Sequence, residues 1–378
     1  MISYEIIEEL DKIKEYYGKW DELFNSREYE ASLSLDWTDA LLKTHLQGAS
    51  FFLVVLRDAN GILGIVPLCI KEVKKYGLLL LTLLPISEYF NTHSDLLLTN
   101  SSEELVEVLL KALFNLKNKW DVFRINRFVE NNPLLDRIAC NLKNNAAFNF
   151  EIRRAEPSFF IQLGNSYDDY LKKKSANFRY KLKSIVKKMH SIGDVAFLRT
   201  QDFHDFSEVY NIILSIERNS WKHKHGTAIT SSEKQQEFYR VLGQSAFNKG
   251  WLRLCILFLN REPIAFEMGL VKGQKYYGVH GSYNEKYKKE NPGTMLLAQF
   301  IEDLIHEGIK EYDWFGEPFE FQSRWTDKFR WHRSLLIYNN TLKAKLFFIF
   351  NTLKEKMIHD VKKQIVFRDP RDVRPEKK

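Results

Sequence analysis

An acidic residue inside an apolar stretch is the first position in this 378-residue sequence that points to chemistry. Glu267 stands within residues 264–270, a segment with the length and composition of a β-strand. Burial of an unpaired carboxyl group raises its pKa toward the value that a general base needs near neutral pH. Strand alternation could equally place Glu267 on a solvent-facing side. The pattern predicts a candidate base and leaves an exposed strand residue as the alternative.

The next apolar stretch, residues 275–283, carries two further candidates. His280 shares a strand face with Ser282, whereas Tyr283 lies on the opposite face. An imidazole at His280 predicts a base or a substrate contact, with a hydrogen-bonded core histidine as the alternative. For Tyr283 the alternative is a packing role.

A helix that opens at Pro292 and Gly293 is the best candidate for a phosphate site. Proline suits the first helical turn, and glycine lets an anion approach the free backbone N–H groups. The partial positive charge of the helix N-terminus favours that anion, and Lys288 precedes the turn. The predicted donor-binding residues are therefore Lys288, Pro292, Gly293 and Thr294, and an ordinary loop-to-helix cap is the alternative.

Hydrophobic patterns and turn residues predict the elements that position these side chains. Each half of the sequence has the order hairpin, strand, helix, strand. The predicted segments are 51–56, 62–70, 78–84, 102–118 and 120–125 in the first half, and 251–259, 264–271, 275–283, 291–306 and 311–315 in the second. Residues 1–30 are mostly helical in pattern. This order predicts an α/β (α+β) fold with two copies of one unit.

Two basic segments lie outside the repeated units. Residues 171–190 contain eight Lys or Arg and no acid, with apolar residues on one helical face, which predicts an amphipathic basic helix. Residues 342–357 repeat this theme more weakly, and the charged tail beyond Phe367 is expected to be loose. A solvated helix face is the alternative to binding of tRNA, phospholipid or an anionic glycan.

Composition narrows the class of protein without naming it. The net charge of +7 favours anionic partners such as CoA phosphates, tRNA or acidic glycans. Cys69, Cys140 and Cys255 are far apart in apolar surroundings, as expected for buried free thiols in a reducing compartment. His223 and His225 lack a third nearby ligand, so no metal site is predicted. The N-terminus has no signal-peptide pattern, which predicts a cytoplasmic protein.

Four stretches of the second half together resemble a known family. They are 175–182, 217–222 with its Glu-x-x-x-Trp pattern, 282–284 followed by 291–297, and 313–316 followed by 321–325. In order and spacing they are similar to acetyltransferases often described as involved in cellulose biosynthesis. Those proteins share a GNAT-like fold with the Fem-type peptidyltransferases of cell-wall assembly. The likeness spans roughly residues 20–338.

The chain departs from the family pattern in three places. Phe321 and Gln322 stand where the family often has Tyr-Lys, and Asn284 stands where it often has Asp. The glycine-rich pyrophosphate loop of simple GNAT enzymes is reduced to Pro292 and Gly293. The donor therefore stays open between a CoA thioester, which the family favours, and an aminoacyl-tRNA.

The resemblance implies roles for further residues. Tyr283 matches a family tyrosine and would protonate the departing thiolate, and Asp313 matches an aspartate near the acceptor groove. Glu217 and Trp221, one helical turn apart, would contact the acceptor. Arg324 and Trp325 would close the site. Glu267, His280, Tyr283 and Asp313 are thus the predicted catalytic residues, and Glu217, Trp221, Arg324 and Trp325 the predicted substrate contacts.

The resemblance implies two tandem GNAT-like lobes, each a mixed, mostly antiparallel sheet flanked by helices. The expected divisions are 1–155, a catalytic lobe at 156–340, and a basic amphipathic helix and tail at 341–378. The expected activity is transfer of an acyl group, chiefly acetyl, from acyl-CoA to an amine or hydroxyl of a sugar or cell-envelope polysaccharide precursor. A tRNA-dependent Fem-like transferase, or a non-catalytic polyanion-binding protein with peripheral anionic membrane contact at the inner face, are the alternatives.

Overall fold

The chain is described by a computed structural model over residues 1–90, 92–144 and 148–362. Within these residues thirteen strands form one sheet, and helices lie on both of its faces. The elements fall into two lobes that follow the same order, joined by two long strands. The α/β prediction and the two-lobe prediction are therefore confirmed.

The first lobe extends from residue 3 to residue 144. Its helices and strands, in chain order, are β1 (Ser3–Ile7), α1 (Leu10–Ile13), α2 (Tyr17–Asn25), α3 (Leu35–Thr44), β2 (Phe51–Asp58), β3 (Gly61–Lys75), β4 (Leu78–Pro85), β5 (Leu97–Leu98), α4 (Glu103–Asn115), β6 (Val122–Val129) and α5 (Pro133–Asn144). Ser34 and Ser102 cap α3 and α4 through their side chains, which satisfies free N–H groups at each helix start.

The connecting strand β7 (Asn149–Gln162) leads into the second lobe. The elements of this lobe are α6 (Tyr167–Lys172), α7 (Ala176–Ile192), β8 (Val195–Arg199), α8 (Phe206–Arg218), α9 (Trp221–Lys224), α10 (Glu233–Asn248), β9 (Leu252–Leu259), β10 (Glu262–Lys272), β11 (Lys275–Tyr283), α11 (Pro292–His306) and β12 (Glu311–Asp313). The second connecting strand, β13 (Phe329–Tyr338), and the C-terminal helix α12 (Leu342–Lys362) follow.

The strand order shows how the two lobes correspond. Apart from β5, which pairs with β3, the order across the sheet is β1-β2-β3-β4-β6-β13-β7-β12-β11-β10-β9-β8. In each lobe an edge strand precedes helices, then three antiparallel strands, one helix and a strand that pairs in parallel: β6 with β4, and β12 with β11. The predicted repeat of hairpin, strand, helix and strand is therefore real.

The two connecting strands, β7 and β13, pair with each other and also with strands of the two lobes. β7 pairs with β13 along most of its length and with β12 through residues 160–162. β13 also pairs with β6 of the first lobe, although it follows the whole second lobe in the chain. The predicted division at residues 155/156 thus cuts within β7, and the predicted second domain contributes a strand to the first lobe.

The two lobes also share an apolar core. The ring of Trp37 on α3 lies 5.4 Å from the ring of Phe238 on α10 and 5.9 Å from that of Phe315. All three side chains are buried in one cluster with residues of both lobes. Because this core crosses the lobe boundary, the second lobe is held in a fixed position relative to the first.

One local prediction is confirmed and another is wrong in part. Residues 1–30 are mostly helical, since residues 10–25 form helix throughout, although residues 3–7 form edge strand β1, which pairs antiparallel with β2. Cys140 is exposed on α5, whereas Cys69 and Cys255 are buried free thiols as predicted. The predicted loose tail lies outside the described residues.

Candidate active site

The parallel strands of the second lobe separate and leave an opening in the sheet. β11 and β12 pair at only three positions, ending with Tyr277 opposite Asp313. β12 stops there, whereas β11 continues to Tyr283. One edge of β11 from Gly278 onward therefore lacks its β12 partner. Such an edge offers backbone groups to a ligand in a region that the core holds rigid.

Glu267 lies at this opening. It pairs with Gly281 of β11, and a Cβ atom added to Gly281 would lie 2.1 Å from Glu267 Oε2. Only a glycine leaves room for the carboxylate here. The hydroxyl of Tyr312 donates to Glu267 Oε1 at 2.7 Å, and that of Tyr276 is 3.4 Å from the same atom. The carboxyl group therefore extends over β11 toward β12 rather than into bulk solvent.

The surroundings of Glu267 tune its acidity. Burial raises the pKa of Glu267 to about 7, although hydrogen bonds from Tyr312 and Tyr276 and the charge of Lys222 pull it down. A carboxyl group with this pKa is deprotonated in about half of the molecules at neutral pH, which suits a general base. Of the two sequence alternatives, the sheltered strand carboxylate is the one that the structure shows.

A second polar cluster occupies the opposite face of β11. His280 Nε2 lies 3.2 Å from Glu217 Oε2 and 3.5 Å from Lys222 Nζ, and its Nδ1 lies 3.3 Å from the Tyr239 hydroxyl. Lys222 donates to the carbonyl oxygen of Gly281 at 2.6 Å. The lysine on α9 thus reaches the free edge of β11 and connects this cluster with the strand that carries the opening.

The charges in this cluster are mutually dependent. Burial acts to raise the pKa of Glu217, but the hydrogen bond and charge of His280 and the charge of Lys222 hold it below its usual value. Burial, reinforced by Lys222, lowers the pKa of His280. Burial also lowers the pKa of Lys222, against the attraction of Glu217 and Glu267. The arrangement favours a neutral imidazole between an anion and a cation.

A β-bulge in β11 makes the predicted alternation of strand faces wrong at Val279. Met268 pairs with His280 and Gly269 with Gly278, so Val279 has no partner on β10. Val279 and His280 therefore both pack toward α8 and α10. The sequence alternation placed them on opposite faces, because a bulge shifts the register by one residue without a clear sequence signal.

The predicted phosphate site has the backbone geometry of an open helix start. Asn291 adopts a left-handed conformation (φ 56°), and no side chain caps α11. The Cβ position of Gly293 lies 3.6 Å from the ring of Tyr283, which packs beside the first turn. Lys288 is exposed on the preceding turn. Pro292, Gly293, Thr294, Lys288 and Tyr283 are thus brought together, and their role in donor binding stays a prediction.

Asp313 ends β12 at the edge of the opening, but its carboxylate belongs to a charged network between the lobes. Its carboxylate accepts from Arg330, and Lys275 Nζ lies 3.1 Å away. Lys275 also pairs with Glu30 of the first lobe at 3.3 Å. Burial opposes ionisation, but the charges of Lys275, His93 and Arg330 hold the pKa of Asp313 well below its usual value. A carboxylate held this way is a poor base, so its surroundings speak for a structural role.

The predicted substrate contacts are also dispersed. Glu217 is fully buried and its Oε2 accepts from the backbone N–H of Ile229 at 2.6 Å, so it supports His280 rather than lining a surface. Trp325 is buried against Phe178 of α7, and its role in closing the site stays a prediction. Trp221 is 38% exposed and remains available to a ligand.

Arg324 lies on the surface, with its guanidinium 4.0 Å from Glu320. It lies in the segment that follows β12, where Phe319 and Phe321 are also exposed. The ring of Phe321 lies 6.1 Å from that of Trp314, which in turn lies 5.0 Å from Tyr312. An aromatic rim therefore extends from Tyr312, the partner of Glu267, out to the solvent.

Sequence reasoning missed three residues of the site. Tyr312 and Tyr276, which hold Glu267, come from strands whose apolar pattern predicted only core residues. Lys222 was visible in the Glu-x-x-x-Trp stretch as the residue after Trp221, but nothing in the pattern indicated that its ammonium group would be buried. The lysine lies on the four-residue helix α9 between helices α8 and α10, and its position next to Trp221 was the only signal available.

No metal site was predicted, and no group of three or more His, Cys, Asp or Glu side chains suited to a metal ion occurs among the described residues. His223 Nδ1 instead contacts the Thr230 hydroxyl at 2.9 Å. Over the described part of the chain, no helix has the length and apolar character needed to span a bilayer.

Known proteins resemble this chain in part of its sequence and in its fold. Residues 176–323 match the family model described as an acetyltransferase (GNAT) domain. The crystal structure of FemX is similar over 91% of this chain and 99% of that chain, with a TM-score of 0.60 and 12% identity. The C-terminal domain of a putative lysylphosphatidylglycerol synthetase from Agrobacterium fabrum is similar over 90% and 96%, with a TM-score of 0.54 and 10% identity.

A conserved protein of unknown function from Bacteroides thetaiotaomicron is similar over 89% of this chain and 100% of that chain, with a TM-score of 0.54 and 13% identity. No curated protein matches the sequence. At such identities the solved structures show a shared fold alone, whereas residues 176–323 of the second lobe are similar in sequence to a GNAT acetyltransferase domain. The narrower likeness to the cellulose-biosynthesis type stays a prediction.

Proposed function

We propose that the chain is a GNAT-type acyltransferase that moves an acyl group, chiefly acetyl, from acyl-CoA to an amine or hydroxyl of a sugar or cell-envelope precursor. The observation that carries the proposal is Glu267. Its carboxyl group lies at the opening of the second-lobe sheet, is held by Tyr312 at 2.7 Å and has a pKa of about 7. A base in a sheltered opening is what direct acyl transfer requires.

In the proposed reaction the acceptor attacks the thioester carbonyl carbon directly. A C–N or C–O bond forms, the C–S bond breaks, and the acceptor proton passes to Glu267. The CoA thiolate then takes a proton, for which Tyr283 beside the first turn of α11 is the candidate donor. Burial raises the pKa of Tyr283, so its phenol keeps its proton at neutral pH, and its candidacy as the donor rests on its position beside α11 rather than on its acid strength.

Lys222 and His280 are assigned positioning roles. Lys222 fixes the free edge of β11 through its bond to the Gly281 carbonyl, and its positive charge favours the ionised form of Glu267. His280 contacts that lysine, and Glu217 contacts His280, on the face of β11 opposite Glu267. The cluster therefore keeps a cation at the opening where negative charge develops on the thioester oxygen.

Donor binding is assigned to the start of α11. The helix N-terminus presents the backbone N–H of Gly293 and a partial positive charge, while the N–H groups of Thr294 and Met295 donate to the Asn291 carbonyl oxygen. Exposed Lys288 adds a full charge nearby. A 3-10 helix over Glu285–Glu290 connects β11 to α11, and Tyr283 at the end of β11 packs beside Gly293. A donor bound at the α11 start by its phosphates would therefore extend its acyl end along the open edge of β11. Support for this step comes from the backbone geometry and from the GNAT match over residues 176–323.

Calorimetric titration with acetyl-CoA tests the donor class, with wild type compared with Gly293→Trp and Gly18→Trp. Gly18 is an exposed helical glycine of the first lobe with no heavy atom near its Cβ position, so it controls for the added indole. We expect micromolar binding by wild type and Gly18→Trp, and loss of binding by Gly293→Trp. No binding by wild type at low salt, with several acyl chain lengths, would overturn the acyl-CoA assignment.

A Fem-like use of aminoacyl-tRNA is the alternative donor. The exposed lysines of α7 lie next to the α11 start, since Lys188 Nζ contacts the Lys289 carbonyl oxygen at 3.2 Å. Transfer that needs a charged tRNA, is abolished by RNase and is unaffected by acetyl-CoA would favour this alternative.

A further inference from the structure

The C-terminal helix α12 has an apolar stripe that faces solvent. Leu342, Leu346, Ile349 and Leu353 recur at the spacing of one helical face. Their exposed fractions are 75%, 36%, 51% and 52%. Four aligned aliphatic side chains in water are unusual for a monomer surface and mark an interaction site. We call this set the α12 stripe.

The α12 stripe is not an incompletely packed core. Ala344 and Phe347, on the opposite side of the helix, are buried against Tyr338 and Leu80. Asn351 is also buried and donates to the Tyr338 hydroxyl at 2.9 Å. The helix is thus already docked on the first-lobe sheet by its inner face, and the stripe is an additional apolar surface.

The turn between β3 and β4 extends this surface. Tyr76, at that turn, is 41% exposed, and its ring lies 5.7 Å from the ring of Phe350 on α12. Leu79, at the start of β4, is 46% exposed. The turn and the helix together present aliphatic and aromatic side chains on one side of the first lobe. Tyrosine is typical of the boundary between an apolar layer and water.

Lysines border the apolar residues on both sides. Lys343 and Lys345 are exposed on opposite flanks of the α12 stripe, and Lys354 follows its last residue. Lys74 and Lys75 are exposed on the adjacent turn. Burial and the nearby charge of Lys354 lower the pKa of Lys75, which shows that these cations gather around the stripe. An apolar stripe between rows of lysine is complementary to an anionic, apolar layer.

We propose that the α12 stripe and the β3–β4 turn form a docking face for an anionic phospholipid bilayer. The helix would lie in the plane of the membrane interface, with its leucines among the acyl chains and its lysines at the headgroup phosphates. This contact needs no helix that crosses the bilayer. It is independent of the proposed chemistry, because the stripe is on the first lobe and Glu267 is in the second.

Co-sedimentation of the full-length protein with vesicles tests this proposal. One vesicle set contains phosphatidylcholine with phosphatidylglycerol, and the other contains phosphatidylcholine alone. We expect the protein to bind the anionic vesicles. Binding to the neutral vesicles, and binding to the anionic vesicles at high salt, should each be weaker by at least about tenfold. The variant Leu346→Asp/Ile349→Asp should lose at least about tenfold in partitioning. The matched control Leu10→Asp, at an exposed leucine on α1, should bind as wild type does.

Three outcomes would overturn the proposal. One is equal vesicle binding by wild type and the stripe variant. Another is loss of binding only in a Lys181→Ala/Lys183→Ala variant, which would place the membrane contact on α7. The third is a wild-type dimer in sedimentation velocity without lipid that the stripe variant turns into a monomer, which would assign the stripe to a second copy. Circular dichroism and the thermal midpoint confirm that each variant is folded.

Discussion

The two lobes share a backbone plan and differ at the positions where chemistry would occur. Helix α4 of the first lobe is capped by the Ser102 hydroxyl and carries Glu103 and Glu104 in its first turn. The corresponding helix α11 has no side-chain cap and no acid there, and it opens with Pro292 and Gly293. Because carboxylates at a helix start repel an anion, only α11 suits a phosphate ligand.

The strands show the same contrast. Val66 of β3 and Glu267 of β10 occupy equivalent positions. Each of these strands begins to pair directly after a hairpin turn, at Gly61 and at Glu262, and each contains one unpaired bulge residue. Val66 and Glu267 are the fourth paired residues after those starting points. Val66 is buried in the first-lobe core, whereas Glu267 extends over two glycines of β11. The comparison teaches that the shared fold repeats the same strand and helix positions, and that side-chain choice gives a base and a ligand-accepting helix start only to the second lobe.

Removal of the base should have the largest effect. Glu267→Gln keeps the size and hydrogen-bond partners of the side chain but cannot take a proton. We expect kcat to fall by about 10²- to 10⁴-fold, the usual range for loss of a general base. Steady-state kinetics with acetyl-CoA and the identified acceptor measure it.

The control is Glu262→Gln, because Glu262 is on the same strand but pairs with Lys286 and Tyr287 away from the opening. It should stay within about twofold of wild type. Equal kcat for the two variants would remove Glu267 from the chemistry and with it the contrast between the lobes.

Breaking the charged network between the lobes should have the next largest effect, on stability rather than on chemistry. Lys275→Met leaves Glu30, Glu311 and Asp313 with one fewer cation. We expect unfolding to become easier by about 3–5 kcal/mol, as for a buried ion pair that loses one partner. Urea titration measures this loss, and the control Lys286→Met, at an exposed ion pair, should change the unfolding free energy far less.

The pH dependence of this loss follows from Glu30. Burial acts to raise the pKa of Glu30, but the positive charge of Lys275 lowers it to about 2 in the folded chain. Its contribution to wild-type stability is therefore present above the unfolded pKa and is lost as the pH falls toward 2. The difference between wild type and Lys275→Met should shrink in the same direction. A difference that grows as the pH falls would contradict this account of the network.

These contrasts show how far the sequence could lead. The repeat and the helix start at Pro292 follow from local patterns of turns and alternation. The same patterns singled out Glu267 but left open whether it was sheltered or exposed. The exchange of β13 into the first lobe could not be predicted, because strand pairing over such a separation leaves no local signal. Asp313 illustrates the same limit, since its partners Lys275 and Arg330 are brought together only by the folded sheet.

The hydrogen bond from Tyr312 to Glu267 should determine the pH at which the rate falls on the acidic side of its pH profile (the acidic limb). Glu267 must be deprotonated to act, so the rate should fall as the pH drops through about 7. Tyr312→Phe removes the bond that favours the ionised form, which raises the pKa of Glu267 and moves the limb to higher pH. We expect a shift on the order of one pH unit, measured as kcat/KM against pH.

Tyr276→Phe is the matched control, because its hydroxyl is 3.4 Å away rather than 2.7 Å, and its shift should be smaller. A limb that moves to lower pH in Tyr312→Phe would exclude Glu267 as the titrating base.

The smallest expected effect comes from giving α11 the character of α4. Thr294→Glu places an acid in the first turn, which stabilises the helix itself but repels the phosphates of the donor. We expect the acetyl-CoA Kd to rise by up to about tenfold with no fall in thermal midpoint. In the first lobe, Ser102→Ala removes the cap of α4 and should cost about 1 kcal/mol of stability while Kd stays unchanged. An unchanged Kd in Thr294→Glu, with binding intact, would mean that the donor phosphates lie elsewhere, and the two helix starts would then differ in sequence without differing in function.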